Sequence, residues 1–145
     1  MKLAKYFAAR GKLTNLDAFQ YGVWTALTYA SREGHLDILK ALIAAGANKD
    51  KTDGSGYTPL SRAASSGRVE CVKALLAVKA DVNKASTFGA TPLIWGSRDG
   101  HVEVVKLLLA AGAKKDKIDT YGDTALTYAT KRGHHEIVQL LQQAK

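Results

Sequence analysis

The sequence predicts an all-α fold, a solenoid of stacked antiparallel helix pairs joined by hairpin-like loops. Three observations predict it. A step of 33 residues connects Thr25, Thr58, Thr91 and Thr124, then Leu27, Leu60, Leu93 and Leu126, then Gly34, Gly67, Gly100 and Gly133, then Leu42, Leu75, Leu108 and Leu141, with no gap. A strict period of this size marks a stacked repeat array. Each Thr opens a short apolar segment that the Gly closes, and each Gly is followed by a second, amphipathic segment. At 145 residues and 46% hydrophobic, the chain has the size and apolar content of one domain.

The repeats fall at about 22–54, 55–87, 88–120 and 121–145, with an N-terminal half-repeat at 1–21. In that half-repeat Leu3, Tyr6, Phe7 and Ala8 form an apolar side suited to cover the first full unit, while Lys2, Lys5 and Arg10 face water. The segment from Lys12 to Val23 exceeds the other connections by about two residues and has no predicted conformation. Thr at each helix start is a good N-cap because its hydroxyl accepts from first-turn amides, and Pro59 and Pro92 follow with φ already helical. The periodic Gly supplies the left-handed residue that ends a helix. In the second helix, Val102, Val104, Val105, Leu108 and Leu109 make a wide apolar stripe, with Glu103 and Lys106 outside it. Residues 46–57, 79–90 and 112–123 are polar and run to a Gly at 56, 89 and 122, and they read as protruding turns. Gln142 and Gln143 stand where upstream repeats have Leu or Ala, which predicts a polar capping face and a chain that is complete.

Cys71 is the one cysteine and shares its register with Ile38, Val104 and Ile137, so a buried thiol is expected and no internal disulfide can form. No apolar run reaches membrane-spanning length and the N-terminus lacks a signal-peptide core, which makes an intracellular protein, cytoplasmic or nuclear, the expectation. The net charge of +8 lies partly on rows: Lys40, Lys73 and Lys106 on one helical face, and Lys51, Lys84 and Lys117 at the loop tips. Such rows serve solubility or meet a phosphate backbone. No catalytic constellation stands out, and His35, His101, His134 and His135 are spread along the stack instead of gathered around one metal, so no enzyme activity, metal or cofactor is expected.

Residues 56–83 and 89–113 match a pattern of a Gly, one variable residue, Thr-Pro-Leu, an Ala pair, a Gly-His and a hydrophobic second helix ending in Gly-Ala-Asp; residues 22–50 and 122–145 match it less completely. This pattern resembles the ankyrin repeat. The resemblance implies a curved stack of helix pairs, with fingers at about a right angle, whose concave side binds other proteins. Where the family has His after Thr-Pro-Leu, this chain has Thr28, Ser61, Ile94 and Thr127, which puts the family's inter-repeat hydrogen bonds in doubt. Lys79 replaces the closing Gly46 and Gly112, placing a Cβ in the left-handed region. Gly96 replaces a packed Ala, which reads as a looser site or a fit to Trp95.

Carried over residue by residue, the family's contact positions select Trp24, Tyr29, Arg32, Tyr57, Arg62, Phe88, Trp95, Arg98, Tyr121, Asp123, Tyr128 and Lys131 as partner-binding. Tyr, Trp and Arg dominate many interfaces. The row at 29, 62, 95 and 128 also suits spacers packed between first helices, and both readings stand. The resemblance therefore implies a non-catalytic scaffold or adaptor that binds a protein or peptide on the groove and hairpin tips; Arg32, Arg62, Arg98, Lys131 and Arg132 give it a preference for an acidic partner, and the capped ends predict a monomer. Binding of nucleic acid or an anionic surface through the Lys rows is the alternative. A methyl-lysine peptide reader is a further one, because Trp24, Tyr29 and Tyr57 resemble part of the aromatic cage in ankyrin repeats of some histone methyltransferases; Arg32 and Arg62 beside them would repel a cation.

Overall fold

The computed structural model describes residues 19–21 and 24–145, with side chains from Thr25 onward. A short antiparallel ribbon pairs β1 (Phe19–Tyr21) with β2 (Trp24–Thr25). Eight helices follow among the described residues: α1 (Ala26–Glu33), α2 (Leu36–Ala44), α3 (Pro59–Ser65), α4 (Val69–Ala77), α5 (Pro92–Arg98), α6 (Val102–Ala110), α7 (Ala125–Lys131) and α8 (His135–Gln143). A 3-10 turn spans Thr87–Gly89. The expected half-repeat at 1–21 and the segment 12–23 lie outside the described residues apart from this ribbon, as does the Trp24 side chain.

Each first helix begins as the periodic Thr requires. The hydroxyls of Thr25, Thr58, Thr91 and Thr124 accept from the amides of Thr28, Ser61, Ile94 and Thr127 at 3.0, 3.0, 3.3 and 3.1 Å. Thr28 and Thr127 return the bond to the cap backbone and complete capping boxes, so the residue that replaces the family's His fixes the helix start. Gly34, Gly67, Gly100 and Gly133 follow the first helices with φ of 76°, 69°, 80° and 72°, the left-handed conformation expected of them.

Stacking uses these glycines a second way. One repeat further on, Arg68 Nε donates to Arg32 O (3.1 Å), His101 Nε2 bonds Ser65 O (2.9 Å) and His134 Nε2 bonds Arg98 O (3.0 Å). A Cβ on Gly67 would stand 2.6 Å from the His101 ring, and one on Gly100 would stand 2.8 Å from that of His134. The glycine both turns the chain and leaves the room through which the next repeat reaches its carbonyl. Hydrogen bonds between repeats are thus present, made by residues other than those the family pattern led one to look for.

First helices pack in the order α1, α3, α5, α7 and second helices in the order α2, α4, α6, α8. Between the rows lie Leu27, Leu39, Leu60, Val72, Leu75, Leu93, Val105, Leu108 and Leu141, all buried. Cys71 is buried among them, and burial pushes its thiol up from its ordinary pKa. Gly96 does not loosen this packing: a Cβ there would be 3.2 Å from Val104 Cγ1, so a core methyl takes the space that Ala fills in other repeats. Lys79 has φ 65°, the left-handed conformation its position demands.

Candidate functional site

The fingers are closed by backbone bonds from Asp53 N to Tyr57 O, Ser86 N to Ala90 O and Asp119 N to Asp123 O, at 2.9, 2.8 and 3.0 Å. The residue at each closure is also tied to the first helix nine positions on. Asp53 Oδ2 accepts from Arg62 Nε (2.9 Å), Ser86 Oγ accepts the Trp95 indole N–H (2.7 Å), and Asp119 Oδ2 accepts the Tyr128 hydroxyl (2.5 Å). The chemistry differs in each repeat while the connection is the same. The other oxygen of each Asp takes two finger amides: Ser55 and Tyr57 on Asp53, Tyr121 and Asp123 on Asp119.

These bonds set the charge states. Burial alone would push the Asp119 carboxyl up, but the Tyr128 hydroxyl, the two amides and the nearby Lys131 charge outweigh it and hold the pKa below the usual range. In return, the hydrogen bond to Asp119, then burial, push the Tyr128 hydroxyl up to about 12.

Aromatic and guanidinium planes run along the same face. Arg62 lies 3.8 Å over the Tyr57 ring, Tyr57 is 5.0 Å from Trp95, and Arg98 sits 5.3 Å from the Trp95 centroid. At the finger tips Phe88 and Tyr121 stand 5.9 Å apart and are 52% and 69% exposed. Phe88 holds φ 64°, a conformation that costs a side-chain-bearing residue energy. Between the two fingers and the helices opens a cleft of about 420 Å³ lined by Tyr57, Phe88, Trp95, Arg98, Tyr121 and Tyr128, with Ala90, Ile94, Asp119 and Arg132.

Six of the twelve sequence-selected residues therefore share one cleft. The other six are placed elsewhere. Arg62 adjoins the cleft, its charge met by Asp53, and it covers one face of the Tyr57 ring. Asp123 and Lys131 pair with each other at 3.2 Å. Tyr29 is half-buried, 6.3 Å from the His35 ring, and Arg32 lies exposed at the end of α1. Of Trp24 only the backbone, in β2, is described. Trp95 is 6% exposed and so forms the floor of the cleft with its indole N–H already bonded. Arg132, which the sequence places at the end of its first helix among the basic residues suited to an acidic partner, lines the cleft with Arg98; the finger-to-helix bonds are what sequence reasoning missed.

Three of the six lysines on the outward rows have partners. Lys73 and Lys106 stand 3.4 Å from Glu70 and Glu103, and Lys84 Nζ donates to Asp50 O at 2.7 Å. Among the described residues no group of three His, Cys, Asp or Glu is placed to hold a metal ion, and no helix is long and apolar enough to cross a membrane.

A family model described as ankyrin repeats (3 copies) matches residues 2–86 and 78–145. The chain belongs to the ankyrin-repeat family. No curated protein matches it in a search of such sequences. Ankyrin repeats are generally protein–protein interaction modules. In this ankyrin stack the fingers and first helices converge on the cleft just described, and the lysine-bearing second helices lie on the opposite side.

Proposed function

We propose that the chain is a non-catalytic interaction module that binds a protein or peptide of acidic character on the concave face and finger tips. The observation that carries this reading is the cleft between the fingers at 79–90 and 112–123, where exposed aromatic rings stand beside guanidinium groups. Rigid aromatic side chains bury large area at small entropic cost, and Arg adds directional donors for carboxylates. The rest of the concave face extends the surface toward Tyr29 and Arg32. Lysines of the second-helix row are less suited to phosphate binding, because Glu70 and Glu103 stand beside two of them.

Selection of a random peptide display library against the whole chain tests this. Enriched peptides should bind at least about fivefold more weakly to a variant carrying Tyr29→Ala, Arg98→Ala and Tyr121→Ala, with a shallow dependence of log affinity on log salt. No enrichment, or binding that the triple variant leaves unchanged, would overturn the proposal. A steep salt slope with preference for polynucleotide would favour the lysine rows instead.

A further inference from the structure

The third repeat departs from its neighbours in a way that leaves charge uncompensated. Asp53 neutralises Arg62 on the first helix of the second repeat, and in the fourth Asp123 neutralises Lys131. In the third, Ser86 and Trp95 replace the Asp–Arg pair with a neutral bond. Arg98 of that repeat and Arg132 of the next both line the cleft, and neither forms an ion pair among the described residues. Asp119 is the one carboxylate in the lining, and both its oxygens are already engaged by Tyr121 N, Asp123 N and Tyr128 Oη.

The second departure is at Phe88. It takes a left-handed φ of 64° and remains more than half exposed, so burial of its ring in the core does not account for the strain. Strained backbone persists where the surroundings hold it, and it gathers at ligand-binding positions. Here it turns the Phe88 ring toward Tyr121 at the mouth of a cleft floored by Ile94 and Trp95, both buried. An apolar floor, two exposed rings and two guanidinium groups, whose charge the single Asp119 carboxylate only half offsets, define a ligand with both an apolar and an anionic part.

We infer that this cleft takes a large apolar side chain, by preference aromatic, from a partner peptide that carries carboxylates on either side of it. The apolar group enters between Phe88 and Tyr121 over Trp95, and the carboxylates meet Arg98 and Arg132. The inference rests on the interaction-module reading above and narrows it to one hot spot and one partner chemistry. Aromatic rings beside Arg also suit a stacked nucleotide. Against that, Lys131 is tied to Asp123, which leaves few cations on this side to follow a phosphate backbone.

The test is an NMR titration of the whole chain, following backbone amides, with short synthetic peptides carrying a central Phe flanked by Glu, the same Phe flanked by Lys, or a central Ala flanked by Glu, and with oligo-dT. The Glu-flanked Phe peptide should shift amides at 86–98 and 119–132 and bind at least about tenfold more tightly than the other peptides. Phe88→Asn accepts the left-handed backbone, so it should keep or raise the unfolding midpoint while weakening that peptide about tenfold. Arg98→Gln with Arg132→Gln should abolish the preference for Glu over Lys. Unchanged affinity in Phe88→Asn, or oligo-dT shifting these amides more strongly than any peptide, overturns the inference. Shifts confined to the Tyr29 end, or no shift by these probes while library-selected peptides still bind, overturn it and leave the broader reading standing.

Discussion

Replacing Tyr128 by Phe removes one oxygen and tests whether the finger-to-helix bond sets the shape of the cleft. In the native chain the hydroxyl donates to Asp119 Oδ2 at 2.5 Å, and the carboxylate is buried. Hydrogen bonds to charged groups contribute about 1.5–3 kcal/mol, and because Tyr128 is only half-buried the lower end applies, about 1.5 kcal/mol at neutral pH. The pH dependence is more diagnostic than the size. Asp119 has a folded pKa below its unfolded value, so its contribution is present above the ordinary carboxylate pKa and is lost as pH falls through the depressed one. Tyr128 has a folded pKa raised to about 12, so its contribution is present below the ordinary tyrosine pKa and is lost as pH rises toward that value. The stability difference between native chain and variant, from urea unfolding at a series of pH values, should therefore be a plateau between roughly pH 4 and 10 that shrinks at both ends. A difference that is flat across pH, or smaller than about 0.5 kcal/mol on the plateau, would refute the coupling.

Three further substitutions bear on the stack. Lys79→Gly relieves a left-handed residue at the cost of a more flexible unfolded chain, a net gain of about 0.5–1 kcal/mol that a higher melting temperature would report. Trp95→Ala should lower stability by about 3–5 kcal/mol in denaturant unfolding, because the side chain is a buried floor and not a free contact residue. Gly100→Ala combines a φ of 80° with a Cβ 2.8 Å from the His134 ring and should cost about 2 kcal/mol or more. In a double-mutant cycle His134→Ala should then cost less in the Gly100→Ala background than alone.

Much of this was legible in the chain because the 33-residue step superposes positions that do the same work. Four Thr at one register can only be repeated caps, and four Gly two turns later repeated helix ends. Bonds whose chemistry changes from repeat to repeat were harder to see: Asp53 with Arg62, Ser86 with Trp95 and Asp119 with Tyr128 look unrelated until the constant separation of nine is noticed. The same holds for Arg68, which stands in the register of His101 and His134 and reaches the equivalent carbonyl one repeat back although it is a different residue type. Read from sequence, Trp95 and Arg62 were interface candidates; folded, one is a floor and the other is neutralised, since tertiary contacts decide burial and charge pairing. Lys79 could be anticipated because Gly fills its register elsewhere. Phe88 could not, because its register holds Ser55 and Tyr121 and only the local turn gives it a positive φ.

The claim beneath all of this is that equivalent residues advance along one axis by one helix-packing step per repeat. Spin labels on cysteines introduced at Lys40, Lys106 and Gln139, taken in pairs, measure that directly, with the buried Cys71 left unlabelled. With about 10 Å between packed helices, the 40–106 pair should lie at about 20 Å and the 40–139 pair at about 30 Å. A 40–139 separation no longer than that of 40–106 would contradict the stack, and with it the cleft that the stack builds.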